Sequence, residues 1–406
     1  MSGLLSVFRE RNYSFFFTGQ ALSFIGNWMQ STTFNWLLYQ FTDSPFLLGS
    51  MSAAINIPLL ILIPYAGSMV DRFDHRRLLL FLQTIFMIHA SLLGALAYFD
   101  LLNLTLIVAM GCIQSFLNAF DGPARQALVP QLLNDRSKMP AAIALNSVMV
   151  NTTRTFGPPL AGWILTKNSS VSCFLLNALS YFFMLLALMA LQFSNSDNKG
   201  KHREYTSALD NLLFIVSLPS LRYLFISYIV VAVATMSVYV LLPIWSADIL
   251  KAGPQGLGLM MGGIGAGALL GAIIVGSQSN QVRLWLLFRY SSLLLGFALI
   301  LISSINGITP IIMVTVMLGM AYIGQSVAAN TLLQMSVDDS RRGGIMAFYL
   351  LVAFGSIPVG NVLGGWLGHI IGLKGAAMTA GITVLISIFF LWRTSSRVMQ
   401  LVFKEN

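Results

Sequence analysis

The chain is 406 residues long, 56% hydrophobic and 9% charged, with a formal net charge of +9. So few charges cannot cover a water-exposed surface, which excludes a soluble globular protein. A bilayer is crossed by ~20 apolar residues, and about twelve stretches of that kind leave little chain for a soluble domain.

The positive balance is a matter of placement. With the N-terminus in the cytoplasm, nearly every cation falls on the inner face, from Arg9 and Arg11 through Arg72, Arg76, Arg77, Arg136 and Lys138 to Arg341, Arg342 and Lys404. Lys167, Lys251 and Lys374 remain on the other face. That asymmetry predicts cytoplasmic termini and makes the basic charge a topology signal, with no nucleic-acid partner implied. The first apolar run is too long for a cleavable leader, so the first span is expected to serve as the insertion signal.

In chain order, the first span is predicted near 12–40, with Gln20, Ser23, Asn27 and Gln30 on one face. Lipid cannot satisfy such groups, so they point at the bundle interior or a wet cavity. Asp43, Ser44 and Pro45 form a turn, and the second span follows to about Val70. Then comes a dense polar loop, Gly67 to Arg77, carrying Asp71, Arg72, Asp74, His75, Arg76 and Arg77. The third span ends near Tyr98 and encloses His89, whose expected role is packing more than proton switching. The fourth, about 104–126, lines up Gln114, Asn118, Asp121 and Arg125. Asp121 and Arg125, one turn apart, are expected to pair close to the cytoplasmic end, holding that helix end in preference to forming a coupling site.

The fifth span starts near Pro140 and carries Ser147, Asn151, Arg154 and Pro158 at helical spacing. Arg154 lies ~21 Å into the helix at 1.5 Å per residue. A permanent cation at that depth is costly in lipid and reads as functional. The segment Gly157-Pro158-Pro159-Leu160-Ala161-Gly162 combines groups that permit bending and close helix contact. The sixth span ends near Phe193. A polar stretch from Ser194 follows, and its later part, about 209–216, reads as amphipathic and lying on the inner membrane surface. Spans seven to twelve fall near 219–246, 255–277, 284–304, 308–334, 343–368 and 372–393. The Gly364-Gly365-Trp366-Leu367 run echoes Ala161-Gly162-Trp163-Ile164, and Asp338 to Gly343 answers Asn134-Asp135-Arg136, which indicates an internal repeat.

These readings give an all-α membrane protein of twelve transmembrane helices in two pseudo-symmetric six-helix bundles. The expected division is 1–194 and 219–394 for the bundles, 195–218 for a cytoplasmic linker and 395–406 for a cytoplasmic tail. Cys112 and Cys173 sit in apolar runs, so no disulfide is expected. His75, His89, His202 and His369 lack metal-ligand spacing, and no phosphate-cradling loop or nucleophile constellation is present. No catalytic or metal residue and no cofactor is therefore expected. A polytopic enzyme and a non-transporting membrane sensor rank below a transporter.

The loop GSMVDRFDHRR resembles the loop between helices 2 and 3 of the major facilitator superfamily, with Gly67, Asp71, Arg72 and Arg76 matching and Met69, Val70, Asp74 and His75 departing. The segments AFDGPARQALVPQLL and RTFGPPLAGWIL are similar to its enterobactin-exporter and macrolide-efflux branch. The resemblance implies alternating-access export of a small molecule from a bacterial cytoplasm across the inner membrane, by a monomer driven by a proton gradient. It further implies that Asp71 meets the start of helix 11 near Gly343. Arg72, Arg76, Asp121, Arg125, Gly157 and Pro158 join Asp71 and Gly343 as gating candidates. Beside it, the residues themselves suggest an anionic or polyhydroxylated substrate such as a siderophore. Arg154 would bind it, helped by Gln20, Asn27, Gln114, Asn118 and Asn151. Multidrug or macrolide efflux is the alternative.

Overall fold

The computed structural model describes residues 5–167, 169–192 and 208–402, and every regular element among them is helical. The helices are α1 (Arg11–Gln40), α2 (Pro45–Val70), α3 (His75–Tyr98), α4 (Leu104–Leu128), α5 (Met139–Lys167) and α6 (Ser170–Met189). There follow a surface helix α7 (Ala208–Ser217), α8 (Pro219–Tyr239), a single turn α9 (Leu242–Ile244), α10 (Gly253–Gly276), α11 (Gln281–Ser304), α12 (Ile308–Met335) and α13 (Asp339–Val402). Among the described residues, nine helical stretches are long and apolar enough to cross a membrane. The last of them, Arg341–Phe390, holds two spans, because Gly372 adopts φ +75° and breaks the helix. Helices α1 and α5 complete the twelve. At 30 and 29 residues they fall short on composition, not on length.

Local chemistry sets the helix starts. Asp74 accepts from the Arg77 N–H at 2.7 Å to open α3, and Asn103 accepts from Leu106 N–H at 2.9 Å to open α4. Asn280 does the same for α11 through Arg283 N–H at 3.1 Å. Such caps are worth ~1 kcal/mol each.

The chain divides into two compact units. One takes Met1–Thr42, Ala54–Lys201 and Ser246–Gly265; the other takes Asp43–Ala53, His202–Trp245 and Ala266–Asn406. The units interleave in sequence because stretches of α2 and α10 find close packing partners outside their own sequence half. In the first unit α1 packs on α5 and α6, and α3 on α4 and α6. In the second, α8 and α11 pack on α12 and α13. Tyr13, Phe16, Leu79, Leu128 and Leu188 form one buried cluster, and Tyr223, Leu224, Phe288, Leu333 and Ile345 form its counterpart. Ile61, Phe81, Met313 and Phe389 are exposed, as side chains facing lipid must be.

Three boundaries differ from expectation. Span six ends at Met189, where Arg76 donates to the Leu188 and Met189 carbonyls (2.9 Å each) and caps the helix. Span seven stops at Tyr239 and continues through a π-turn, Trp245–Ile249. The expected tail from 395 is helical to Val402.

Candidate functional site

Four helices of the first unit, α1, α3, α4 and α6, build a buried polar network, and α5 brings a cation beside α1. At its centre Arg125 Nε donates to Asp121 Oδ2 at 2.7 Å, with the two side chains 3% and 9% exposed. Gln83 of α3 donates from Nε2 to Asp121 Oδ1 at 2.7 Å. Arg125 also reaches Ser23 Oγ of α1 at 3.3 Å and lies over the Phe24 ring, 5.0 Å from its centroid. The pair lies within two turns of the end of α4, is buried, and bridges three helices, α1, α3 and α4. An ion pair so desolvated persists only with further hydrogen bonds, which Gln83 and Ser23 supply.

A second chain of amides runs alongside. Gln30 Nε2 donates to Gln114 Oε1 at 2.9 Å, and Asn177 Nδ2 donates to Gln30 Oε1 at 2.8 Å. Ser180 donates to the Asn177 carbonyl at 2.7 Å, and the Tyr181 hydroxyl donates to Asn27 Oδ1. Two of the residues singled out from sequence, Asn27 and Gln114, are therefore tied together through α6. Gln83, Asn177, Ser180 and Tyr181 were missed. The spacing of Asn177, Ser180 and Tyr181 on one face of α6 was the available signal.

Arg154 stands near the middle of the 29-residue α5. Its guanidinium carbon sits 5.3 Å from the centroid of the Trp28 ring, a cation–π contact of about 0.5–2 kcal/mol. The packing explains the meeting. A methyl on Gly157 would stand 2.5 Å from Trp28 Cβ and 3.1 Å from the Ile25 carbonyl, so only glycine lets α5 approach α1 here. Among the described residues, no carboxylate pairs with Arg154, unlike Arg125 with Asp121 and Lys138 with Glu10.

The other expected residues scatter. Gln20 is buried on α1. Asn151 spends its amide on the Ser147 carbonyl one turn back, at 2.8 Å. Asn118 is exposed. Asp71 and Arg72 are exposed in their loop, and Gly343 has open space at its Cα. Gly162 faces α10: a methyl there would lie 2.6 Å from the Pro254 carbonyl and 3.2 Å from Gly258 Cα. Pro158 lends its carbonyl to the same contact. The proline-glycine segment is thus a packing surface toward two helices, α1 and α10.

At the start of α1, Glu10 accepts from Lys138 Nζ at 2.5 Å and from Asn134 Nδ2 at 2.8 Å. The Lys138 hydrogen bond holds its carboxyl below the ordinary value, against the opposing pull of burial. Among the described residues, no group of His, Cys, Asp and Glu could hold a metal ion.

Residues 2–403 match the major facilitator family described as transmembrane secretion effector. The chain belongs to that family. A staphyloferrin A transporter of Staphylococcus aureus is 25% identical to this transporter, over 93% of this chain and 94% of its own. A multidrug efflux pump, Tap, of Mycolicibacterium fortuitum is 20% identical, covering 89% and 90%. The fold matches a bacterial homologue of the human lysosomal transporter Spinster, in an inward-facing, occupied conformation, with a TM-score of 0.73. That match is 12% identical and covers 96% of this transporter and 97% of its counterpart. The chain is accordingly a multi-pass membrane protein of a transporter family.

Proposed function

We propose that this transporter exports a carboxylate-bearing, polyhydroxylated metabolite of the siderophore kind from the bacterial cytoplasm. The observation that carries the reading is Arg154, a cation in the middle of a spanning helix with an aromatic face as its neighbour and no carboxylate partner among the described residues. A guanidinium offers a planar fork of donors suited to carboxylates. The staphyloferrin A transporter among its relatives supports the same class. Export is driven by the proton gradient, the chain acts as a monomer, and both termini face the cytoplasm of the inner membrane, as the placement of cations supports.

The test is ligand stabilisation of the purified protein against two panels. One holds staphyloferrin A and carboxylate siderophores; the other holds macrolides and neutral or cationic drugs. A ligand at 100-fold its Kd stabilises the native state by ~2.7 kcal/mol. We expect stabilisation by the first panel that is lost in Arg154→Ala. Stabilisation by macrolides, unchanged in that variant, would move the protein to drug efflux, the reading favoured by Tap.

A further inference from the structure

We infer that Asp121 is the residue that carries the proton, with Gln83 as a positioning residue that accepts both of its charge states. This rests on the proton-driven reading above and names the group that the reading leaves open. Three observations lead there.

First, Asp121 is a carboxylate buried within the spanning part of the first unit. Second, its two oxygens have different neighbours: Gln83 Nε2 at Oδ1 and Arg125 Nε at Oδ2, each at 2.7 Å. Third, two buried atoms of those same neighbours, Gln83 Oε1 and Arg125 Nη1, have no hydrogen-bond partner among the described residues. Buried polar atoms without partners are rare and costly, and ask for an explanation.

The carboxamide supplies one. Its oxygen and nitrogen are close to isosteric, so a half-turn about the terminal torsion exchanges acceptor for donor without moving a helix. With Asp121 ionised, Gln83 donates to it. With a proton on Oδ1, the new O–H donates to Gln83 Oε1, and the unused oxygen becomes the partner that the neutral acid needs. Arg125 keeps its bond to Oδ2 in both states. The only change is one added proton, and the cluster moves from net zero to net +1.

That unit of charge is what couples. In the protonated state Arg125 is no longer neutralised, and its Nη1 becomes the donor able to take an anion or a rearranged partner. The charged or titratable groups around Asp121 are few. Arg125 comes from α4 itself and the Tyr181 phenol from α6. Helix α3 presents the neutral Gln83 and α1 presents Ser23 and Phe24. His89, further along α3, is engaged with the Met110 carbonyl at 3.0 Å.

The experiment is a pH titration by infrared difference spectroscopy on the full-length protein in lipid, reading the C=O stretch of a neutral carboxylic acid. We expect a titrating band that disappears in Asp121→Asn, survives shifted in Asp121→Glu, and shifts in Gln83→Leu through loss of its hydrogen bond. Gln83→Leu leaves the carboxyl in place, so it tests the assignment even where Asp121→Asn is poorly folded. A wild-type spectrum identical to that of Asp121→Asn would overturn the proposal, as would a band unmoved in Gln83→Leu. The driving force is tested separately, in liposomes loaded with staphyloferrin A and given an imposed proton gradient. Gradient-independent movement would remove the proton-driven reading, whereas gradient-driven movement retained by Asp121→Asn would remove the assignment alone.

Discussion

The fourth helix of the first repeat and its counterpart in the second share a frame and differ in chemistry. Helices α4 and α12 begin after N-caps Asn103 and Gly307, 204 residues apart, and the same step carries Asp121 to Gln325. Helices α3 and α11 begin after Asp74 and Asn280, 206 residues apart, which carries Gln83 to Arg289. In the first unit the acid is matched by Gln83 and Arg125. In the second, the position of Arg125 is taken by the buried Ala329, and both amide atoms of the fully buried Gln325 lack a partner among the described residues. The two copies keep matching helix positions, but the Asp121–Arg125 pair of the first stands where the second has Gln325 and Ala329, and the second places a cation, Arg289, at the position of Gln83. A buried charge is costly in a spanning segment, so the two copies should differ in what their fourth helices cost to disturb.

The largest effect should come from breaking that contrast. Arg125→Leu strands a buried carboxylate and should cost about 3–5 kcal/mol in thermal unfolding of the detergent-solubilised protein. Gln325→Leu removes an amide with no partner to lose among the described residues and should stay within about 1 kcal/mol of wild type. Replacing Asp121 and Arg125 together by Leu should cost less than Arg125→Leu alone. Equal losses for Arg125→Leu and Gln325→Leu would mean that the two copies are energetically alike, and the comparison would fail.

Much of the frame was legible in the sequence because lipid punishes exceptions: spans must be apolar. The stripes on α1 and α4 were equally legible. What a stripe cannot give is which faces meet. Arg125 touches Ser23 across 102 positions and Gln30 touches Gln114 across 84, and those meetings are set by helix crossings that periodicity does not encode. Arg154 shows both sides. Its depth followed from counting residues, but its partner, Trp28, depends on Gly157 letting two helices close. The interleaved units were hidden for the same reason, since the exchange depends on contacts of α2 and α10 far along the chain.

A smaller effect sharpens the comparison by asking where the copies are still alike. The echo between Gly162 and Gly365 is one of packing: methyls there would lie 3.2 Å from Gly258 Cα and 3.0 Å from Gly49 Cα, respectively. Gly162→Leu and Gly365→Leu should therefore each destabilise by about 1–3 kcal/mol through overpacking. Gly122→Ala, where nothing stands within 4 Å, should be neutral or gain up to ~1 kcal/mol. Unfolding midpoints separate the three, and a loss at only one of the two leucine variants would show that the seams have diverged as the acid site has.

The smallest effect belongs to the clasp at the start of α1, and it is distinguished by its pH dependence. Lys138 holds the Glu10 carboxyl below its ordinary 4.5. A depressed carboxyl contributes stability that is fully present above the unfolded value and lost as pH falls through the folded one. Glu10→Gln should therefore lower stability by about 1 kcal/mol at neutral pH, and the gap to wild type should close only as pH drops below about 4.5. The second unit anchors its surface helix differently, with the Arg341 guanidinium 4.4 Å from the centroid of the Phe214 ring. That contact involves no carboxylate, so Phe214→Leu should cost the same at pH 4 as at pH 7. A pH-independent Glu10→Gln would remove the distinction between the two anchors.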